Sequence, residues 1–339
     1  MTERFLLPNK NNLICRNDRI IIGLSGGPDS VYLLYALHEM RETHNLFLTA
    51  VHLNHESRPE AVADQEFCRA LCEKLAIPFI TERISNIKHA TTANGSREAL
   101  WRAARRAFFM RIACEQHANS IALGHHQQDQ IETFFIRLIR GSSLTGLTGM
   151  KPRSGLYIRP LLTLDKSTIL NTLDTHKISY RIDASNDSDQ FLRNRIRKTV
   201  LPALALCDSR FEQNLANTMQ RLCDADTVMQ QCAQAYIITS PQSLNNPETQ
   251  EALGSLIIEQ FELAPSGLKH SILNNWLITN KVTYTPSQAF FDEITRFLKM
   301  PGNGSHAMHS TWHIKKQDGT AHIKKTCSQT KNATLTICK

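Results

Sequence analysis

The stretch Ile20-Ile21-Ile22-Gly23-Leu24-Ser25-Gly26-Gly27-Pro28-Asp29-Ser30 decides the fold of this chain. A β-branched apolar run of strand length leads into a loop with two glycines, and an apolar helical pattern begins at Val31. A strand, a glycine loop and a helix in this order present backbone N–H groups to an anion at the helix N-terminus. The stretch therefore predicts a phosphate site at the end of the first strand.

The composition of this loop favours a nucleotide phosphate over a simple turn. Gly26 and Gly27 allow the backbone to approach an anion closely, while Ser25 and Ser30 add hydroxyl donors, and Ser30 also suits a helix N-cap. The carboxylate of Asp29 would repel a phosphate unless a cation lies between them, which predicts Mg²⁺. The loop has neither the lysine nor the spacing of a Walker A loop. A tight turn of small residues is the structural alternative.

The sequence as a whole predicts a reduced, cytoplasmic protein of two domains. It has 339 residues, of which 41% are hydrophobic and 21% charged, and no apolar run approaches the length of a membrane span. The N-terminus is too polar for a signal peptide, and the nine scattered cysteines include no CxxC pair. The net charge of +8 arises from residues 1–205 and 299–339, around an acidic middle. This distribution suits a polyanionic partner such as RNA.

Strand and helix patterns alternate over the first 205 residues, which indicates a parallel sheet covered on both faces. After the first strand, the predicted strands are 46–53, 78–84 and 120–124, and the predicted helices are 60–76, 96–117 and 129–140. Ligands bind at the carboxyl ends of such strands. Three polar segments lie at these ends: 25–30, 52–58 and 125–132.

We expect an α/β fold in which a parallel-sheet domain, residues 1–208, precedes a smaller, mainly helical domain, residues 209–339. Pro202 falls within a helical pattern that begins near Leu192, and it predicts a kink or break there. Later helices are predicted near 165–177, 209–235, 248–262, 266–279 and 286–299. The alternation from Thr311 to Ile323 predicts a terminal hairpin.

Polar side chains at the strand ends supply candidate nucleotide and metal contacts. His52 and Asn54 close the second strand, and His125 follows the fourth, without the ligand spacing of a zinc site. A polar loop is the alternative for the first pair. Asp29 and Asp129 place two carboxylates at strand ends, as a Mg²⁺ ion between phosphates requires.

Two further features of these segments have structural alternatives. Asp129 could cap a helix, with Glu132 three residues later as in a capping box. Arg102 and Arg105 share one helix face at i,i+3 spacing. Like charges this close favour a bridging anion, although a solvated basic face explains the pair equally well. Arg137 continues the basic edge after the 125–132 segment.

In their order and spacing these segments resemble the tRNA(Ile)-lysidine synthases, a family within the PP-loop ATP pyrophosphatases. The family pattern is SGGxDS, HxNHxxR, ARxARxxF, HHxDDQxET, RxxRG, DxSN and RNxIR, and the match covers the whole predicted first domain. The matching positions are Ser25 to Ser30, His52/Asn54/His55/Arg58, Arg102/Arg105, His125/His126/Asp129/Gln130/Glu132/Thr133, Arg137/Arg140/Gly141, Asp183/Ser185/Asn186 and Arg193/Asn194/Ile196/Arg197.

The resemblance implies an adenine nucleotide α-hydrolase-like fold and an ATP-dependent ligase. Such an enzyme adenylates the wobble cytidine of tRNA(Ile) with anticodon CAU, then replaces AMP with free L-lysine to form lysidine. ATP and Mg²⁺ are the implied cofactors. The implied ATP contacts are Ser25, Gly26, Gly27, Pro28, Asp29, Ser30, His52, Asn54 and His125.

The resemblance also implies catalytic and RNA-binding roles. Asp29 and Asp129 would bind Mg²⁺, and His126 is a candidate acceptor for the proton of the lysine amine. Arg102 and Arg105 would stabilise developing charge or contact a tRNA phosphate. The implied RNA contacts are Arg137, Arg140, Arg193, Arg195 and Arg197. The resemblance further implies that residues 1–208 form the ATP-binding catalytic domain and that residues 209–339 form a tRNA-recognition domain ending in a basic hairpin or tail.

Two positions depart from the family pattern. Gln128 stands where the first Asp of the DD pair is usual, which removes one potential metal ligand, and Arg106 stands where Tyr is common. A PP-loop thiolase is the nearest alternative enzyme, but it would need reactive cysteines or an iron–sulfur site. An amidotransferase or a GMP- or NAD-forming synthetase should lack the DxSN and RNxIR segments. A catalytically inactive RNA-binding homologue would keep the arginines and lose Asp29 and the glycine pair.

Overall fold

The computed structural model describes residues 5–8, 13–56, 60–87, 97–181, 192–239, 254–282, 287–309 and 312–325. Arg58 and the predicted DxSN loop at 183–186 lie outside these residues. The chain separates into two compact units, Met1–Leu222 and Cys223–Lys339. The border falls within a helix, further along the chain than residue 208. No helix in the described ranges is long and apolar enough to cross a membrane.

The first unit alternates strands and helices. Its strands are β1 (Arg19–Gly23), β2 (Phe47–Asn54), β3 (Phe79–Arg83), β4 (Ser120–Ala122), β5 (Arg153–Ser154) and β6 (Tyr157–Ile158). Its helices are α1 (Pro28–His44), α2 (Ala61–Lys74), α3 (Arg97–Glu115), α4 (Gln127–Ile139), α5 (Leu144–Leu147), α6 (Lys166–Thr175), α7 (Leu192–Arg195) and α8 (Leu201–Cys207).

The predicted parallel sheet is confirmed. The strand order is β3-β2-β1-β4-β6-β5, and every pair is parallel except β5 with β6. The isoleucine run of β1 is buried on both faces of this sheet, because Ile20 and Ile22 join one apolar cluster and Ile21 joins another. The first cluster contains the apolar side of α1, and the second contains Phe108 and Phe109 of α3.

Pro202 lies in a chain that stays helical, with one change of helix type. A π-helical turn, Ile196–Val200, joins α7 to α8, and Pro202 lies in the first turn of α8. Proline cannot donate an intrahelical hydrogen bond and its ring crowds the preceding turn. The kink or break predicted at Pro202 therefore takes the form of one π-helical turn just before the proline.

The second unit contains more strand than its sequence pattern indicates. Helix α9 (Phe211–Gln234) crosses the border between the units. The strands that follow are β7 (Ile237–Thr239), β8 (Gly254–Ile257), β9 (Gly304–His309), β10 (Trp312–Gln317) and β11 (Thr320–Lys325). The helices that follow are α10 (Ile258–Leu263), α11 (Ser266–Thr279) and α12 (Gln288–Lys299). The antiparallel sheet has the order β7-β8-β11-β10-β9.

The predicted terminal hairpin is confirmed as β10 and β11, joined by Asp318 and Gly319 with positive φ. The helix predicted over 248–262 is wrong over Gly254–Ile257, which form strand β8, and is confirmed from Ile258 onward, where α10 begins. Trp276 Nε1 donates to the Gly254 carbonyl at 2.9 Å, and β8 pairs with β11. These distant partners outweigh the local helical pattern.

Candidate active site

The site is built where the order of the strands reverses. Strand β1 lies between β2 and β4, so the loops that leave β1 and β4 diverge at a topological switch point. Gly124, just after β4, allows a close approach of the two loops. A Cβ at Gly124 would lie 2.9 Å from the backbone of Asp29 and 3.1 Å from the nitrogen of Ser30.

The two serines of the glycine loop hold the loop closed. Ser30 Oγ accepts a hydrogen bond from the Ser25 nitrogen at 3.1 Å and donates to the Gly27 carbonyl at 3.0 Å. Gly26 has a φ of +86°, which favours glycine. The predicted N-cap at Ser30 is wrong, because α1 begins at Pro28 with Gly27 as its N-cap. The first-turn N–H groups of α1 are thus left for an anion.

Lys166 is a site residue that the sequence did not reveal. It is the first residue of α6, and its Nζ donates to Oδ1 of Asp29. The sequence does hold one signal for Lys166. A lysine in the first turn of a helix is unfavourable for the helix macrodipole, so a lysine at that position indicates another role. The loop carboxylate therefore has a cationic partner from a distant helix.

His126 lies between the two carboxylates predicted for the metal. Its Nε2 is 3.7 Å from Oδ2 of Asp29 and 3.6 Å from Oδ2 of Asp129. Asp129 caps α4, but not as its N-cap: α4 begins two residues earlier with His126 as the N-cap, so the predicted box from Asp129 to Glu132 is wrong. Asp129 is the third helical residue of a capping box, and its side chain accepts from the His126 backbone N–H at 3.0 Å.

This donor set fits Mg²⁺. The ion usually takes one or two protein carboxylates and completes its shell with phosphate oxygens and water. Asp29 and Asp129 each direct one oxygen toward His126, whose Nδ1 is buried without a hydrogen-bond partner in the described part of the chain. No group of three His, Cys, Asp or Glu side chains that could hold a metal occurs among the described residues. The arrangement suits an ion that arrives with phosphates.

Burial and charge fix the ionisation of the neighbouring groups. Burial lowers the pKa of His125 to about 4; Asp129 opposes this effect, and Arg159, Arg193 and Arg102 reinforce it. Burial alone would raise the pKa of Asp129, but His126, Arg193 and His125 together hold it below its usual value. At neutral pH the site therefore contains a neutral His125 and an ionised Asp129.

Glu132 ties α4 to the helix that carries Arg193 and Arg197. The Glu132 side chain is 1% exposed, Arg193 Nε donates to its Oε2, and Arg197 Nη2 lies 2.7 Å from its Oε1. Arg193 Nη2 also donates to Oδ1 of Asp129 at 2.7 Å. These two arginines are thus engaged by carboxylates, which supports a positioning role for them.

His52 and Asn54, which the sequence predicts as ATP contacts, are buried and turned into the protein. Nδ1–H of His52 donates to the Leu24 carbonyl at 2.9 Å. The Asn54 amide donates to Gln65 Oε1 at 3.1 Å and accepts from the Glu56 nitrogen at 2.9 Å. Their side chains shape the loops around the site, and their role as ATP contacts stays a prediction.

The remaining predicted arginines fall into two groups. Arg137 Nη1 donates to the carbonyls of Gly146 and Gly149, at 2.6 and 2.8 Å, and so orders the loop after α4. The exposed arginines are Arg102 and Arg105 on α3, together with Arg140 and Arg195. Arg105 lies 3.4 Å from Nε2 of His55, beyond the end of β2.

A pocket of about 240 Å³ includes Gln128 in its lining. Its lining is Gln128, Glu132, Arg197, Leu201, Pro202, Ala205 and Glu212. Burial and the charge of Asp165 raise the pKa of Glu212. Among the contacts of the described residues, none joins Gln128 to the carboxylate of Asp29 or Asp129. This departure from the family pattern lies in the lining of the pocket.

The family model of the PP-loop domain matches residues 3–204. The chain belongs to the PP-loop family. Membership supports the use of ATP. The chain is 37% identical over 221 residues to tRNA(Ile)-lysidine synthase of Clostridium acetobutylicum, covering 65% of this chain and 47% of that protein. It is 32% identical over 301 residues to tRNA(Ile)-lysidine synthase of Bacillus subtilis, covering 87% of this chain and 62% of that protein.

Among solved structures, the chain is similar to the U34-tRNA thiolase NcsA from Methanococcus maripaludis with its [4Fe-4S] cluster. The TM-score is 0.54 at 18% identity, over 63% of this chain and 74% of that one. This likeness confirms the fold alone. The chain spans about half to two thirds of the length of the two synthases above.

Proposed function

We propose that this chain is an ATP-dependent ligase that joins L-lysine to carbon 2 of the wobble cytidine of tRNA(Ile) with anticodon CAU. The observation that carries the proposal is the convergence of Asp29, His126, Asp129 and Lys166 on the glycine loop at the switch point. The names of the similar proteins support the same reaction. The absence of any CxxC pair in the sequence disfavours the thiolase alternative.

The proposed reaction has two steps that turn a poor leaving oxygen into a good one. The carbonyl oxygen at carbon 2 of the cytosine attacks the α-phosphorus of ATP, and pyrophosphate leaves with the electron pair of the broken P–O bond. The ε-amine of lysine then forms a C–N bond at carbon 2. The C–O bond breaks, AMP leaves, and the amine gives up a proton.

The residues at the switch point suit the first step, in which negative charge must be held and neutralised. Loop N–H groups bind phosphate oxygens at the N-terminus of α1, and Lys166 adds a cation beside Asp29. A Mg²⁺ ion held by Asp29 and Asp129 would neutralise charge on the phosphates. Exposed Arg102 and Arg105 stabilise developing charge or a tRNA phosphate, and exposed Arg140 and Arg195 contact RNA.

The pocket beside Gln128 suits the lysine substrate of the second step. The carboxylate of Glu212 offers a partner for an ammonium group of lysine. Leu201 and Pro202 provide an apolar wall for the methylene chain. His126, whose ring lies between Asp29 and Asp129, is our candidate acceptor for the proton of the lysine amine.

Transfer of radiolabelled lysine to an in vitro transcript of tRNA(Ile) with anticodon CAU tests the proposal. We expect incorporation only with ATP, and none when the wobble C is replaced by U. ATP turnover to AMP and pyrophosphate without lysine incorporation would keep the PP-loop chemistry and require another acceptor. Absence of AMP as well would favour an inactive RNA-binding homologue.

A further inference from the structure

Two carbonyl groups of the glycine loop accept hydrogen bonds from residues that are distant in sequence. The Leu24 carbonyl accepts from Nδ1 of His52, and the Gly26 carbonyl accepts from the backbone N–H of Arg181, each at 2.9 Å. In a trans peptide unit, the C=O and the N–H point in opposite directions. Binding of these two carbonyls therefore turns the N–H groups that follow them toward the other side of the chain.

The N–H groups turned in this way lie on the inner side of the loop, beside the two serine hydroxyls. The Ser25 N–H donates to Ser30 Oγ at 3.1 Å, and the Gly27 nitrogen lies 3.4 Å from Ser25 Oγ. The Gly27 contact is long for a hydrogen bond, so a phosphate oxygen can replace it. Gly27 is also the N-cap of α1, where the helix favours an anion. The direction of the Gly26 carbonyl thus sets the direction of one phosphate donor.

Arg181 packs against the loop with its side chain as well as its backbone. A Cβ at Gly26 would lie 3.6 Å from Cγ of Arg181, and a Cβ at Gly27 would lie 3.9 Å from its carbonyl oxygen. Arg181 follows α6, the helix that begins with Lys166, whose Nζ donates to Asp29. The segment from 166 to 181 therefore contacts the glycine loop at two places.

Asp64 of α2 holds the side chain of Arg181. Its Oδ1 accepts from Arg181 Nε at 2.9 Å, and the side chain of Asp64 is 11% exposed while that of Arg181 is 43% exposed. Burial lowers the pKa of His52, and the hydrogen bond to Leu24 and the charge of Asp64 oppose this effect. One carboxylate therefore acts on both residues that bind the loop carbonyls.

Folding stability alone does not explain a carboxylate at position 64. The buried residues of α2 are Asp64, Cys68, Leu71 and Cys72, so Asp64 occupies a position on the apolar face of the helix. Burial of a carboxylate there is costly. Solvent screens the ion pair with the partly exposed Arg181, so the pair returns little stability. The placement of Asp64 is better explained by what Arg181 does to the loop.

We infer that Asp64 and Arg181 are positioning residues for the phosphate loop. Their ion pair keeps the Arg181 backbone N–H on the Gly26 carbonyl, and it thereby directs the Gly27 N–H toward a phosphate of the nucleotide. A donor that is already aligned needs no reorganisation when the anion binds. The identity of the nucleotide as ATP rests on the proposed function.

Titration of the full chain with ATP, in the absence of lysine and tRNA, tests this inference. In Asp64→Asn we expect the Kd for ATP to rise about tenfold, which is the value of one hydrogen bond to a charged group. The double variant Asp64→Asn/Arg181→Gln should bind ATP no more weakly than Asp64→Asn, because both changes remove the same contact. Adenosine, which has no phosphate, should bind the unmodified protein and Asp64→Asn equally.

The matched control is Glu66→Gln on the same helix. It removes the carboxylate of an exposed ion pair, in which Glu66 lies 3.3 Å from Arg69, and its Kd for ATP should stay within about twofold of the unmodified value. Circular dichroism at the temperature of the titration checks that every variant is folded. An unfolded fraction would weaken ATP and adenosine binding alike.

An unchanged Kd for ATP in Asp64→Asn would overturn the inference, and so would a double variant in which the two losses multiply. Equal weakening of ATP and adenosine binding would also overturn it and would give the pair a purely structural role. If the unmodified protein does not bind ATP, the inference and the proposed function both fail. If the expected changes in ATP binding occur without lysine transfer, only the proposed function fails.

Discussion

His126 Nε2 lies 3.7 Å from Oδ2 of Asp29, and this contact joins the chain segments that follow β4 and β1. The imidazole Nε2 also lies 3.6 Å from Oδ2 of Asp129, so both carboxylates face one buried ring. Lys166 and Arg193 occupy the other oxygens of these carboxylates. Each carboxylate thus has one oxygen paired with a cationic side chain and the other facing the imidazole of His126.

Removing the charge of Asp29 should abolish AMP formation. In Asp29→Asn the side chain keeps its size but loses the charge that faces Lys166 and His126, and we expect tRNA binding to remain largely intact. Glu42→Gln, exposed on the same helix, is the control. Pyrophosphate release and tRNA binding measure the two effects. Lost tRNA binding would mean that the loop is structural.

Lys166 should contribute to catalysis through charge. Lys166→Met keeps the length and apolar stem but removes the cation beside the loop, and we expect a fall of about 10²-fold in kcat for AMP formation. Lys74→Met, an exposed position on α2, should leave kcat unchanged. Steady-state kinetics with saturating ATP give the comparison, and equal rates in both variants would contradict the assignment.

The sequence revealed the elements whose pattern is local. The isoleucines of β1, the glycine loop and the hairpin around Asp318 all have short-range signals, and the structure confirms them. Strand β8 was missed because a short apolar run fits a strand or a helix equally well. Distant pairing with β11 decides between them.

The side-chain contacts of the site had no comparable signal. Lys166 meets Asp29 across 137 positions of sequence, and no local pattern predicts that contact. His52 and Asn54 sit at a strand end as expected, yet their polar atoms bond inward to Leu24 and Gln65. Position at a strand end predicts the neighbourhood of a side chain, and tertiary packing decides its direction.

Glu132 should matter first for stability. Glu132→Gln leaves Arg193 and Arg197 without their buried carboxylate, and we expect the free energy of unfolding to fall by about 2 kcal/mol. Glu115→Gln, which is exposed on α3, should change it by less than about 0.5 kcal/mol. Urea unfolding followed by circular dichroism measures both values. A loss as small as that of the control would show that the buried bridge contributes little.

His52 should make folding stability depend on pH. Burial lowers its pKa in the folded protein below the ordinary value of 6.5, so the unfolded chain takes up a proton that the folded chain resists. The contribution of His52 to the free energy of unfolding is therefore fully present above about pH 6.5. It decreases as the pH falls toward the pKa of His52 in the folded protein. We expect His52→Gln, which can still donate to Leu24, to lose less stability than the unmodified protein between about pH 7 and pH 5. Unfolding curves of His52→Gln and of the unmodified protein, recorded at about pH 7 and at about pH 5, measure this difference.

Gln128 should influence lysine binding and leave the metal unaffected. It lines the pocket with Glu212 and Arg197, whereas the carboxylate pair meets at His126. Gln128→Asp adds a negative charge to a pocket that we propose for a cationic substrate, and a partly exposed charge pair of this kind contributes up to about 1 kcal/mol. The KM for lysine should therefore fall by about twofold to fivefold. The Mg²⁺ concentration at half-maximal rate should not change. A shift in Mg²⁺ dependence with an unchanged KM for lysine would place position 128 at the metal.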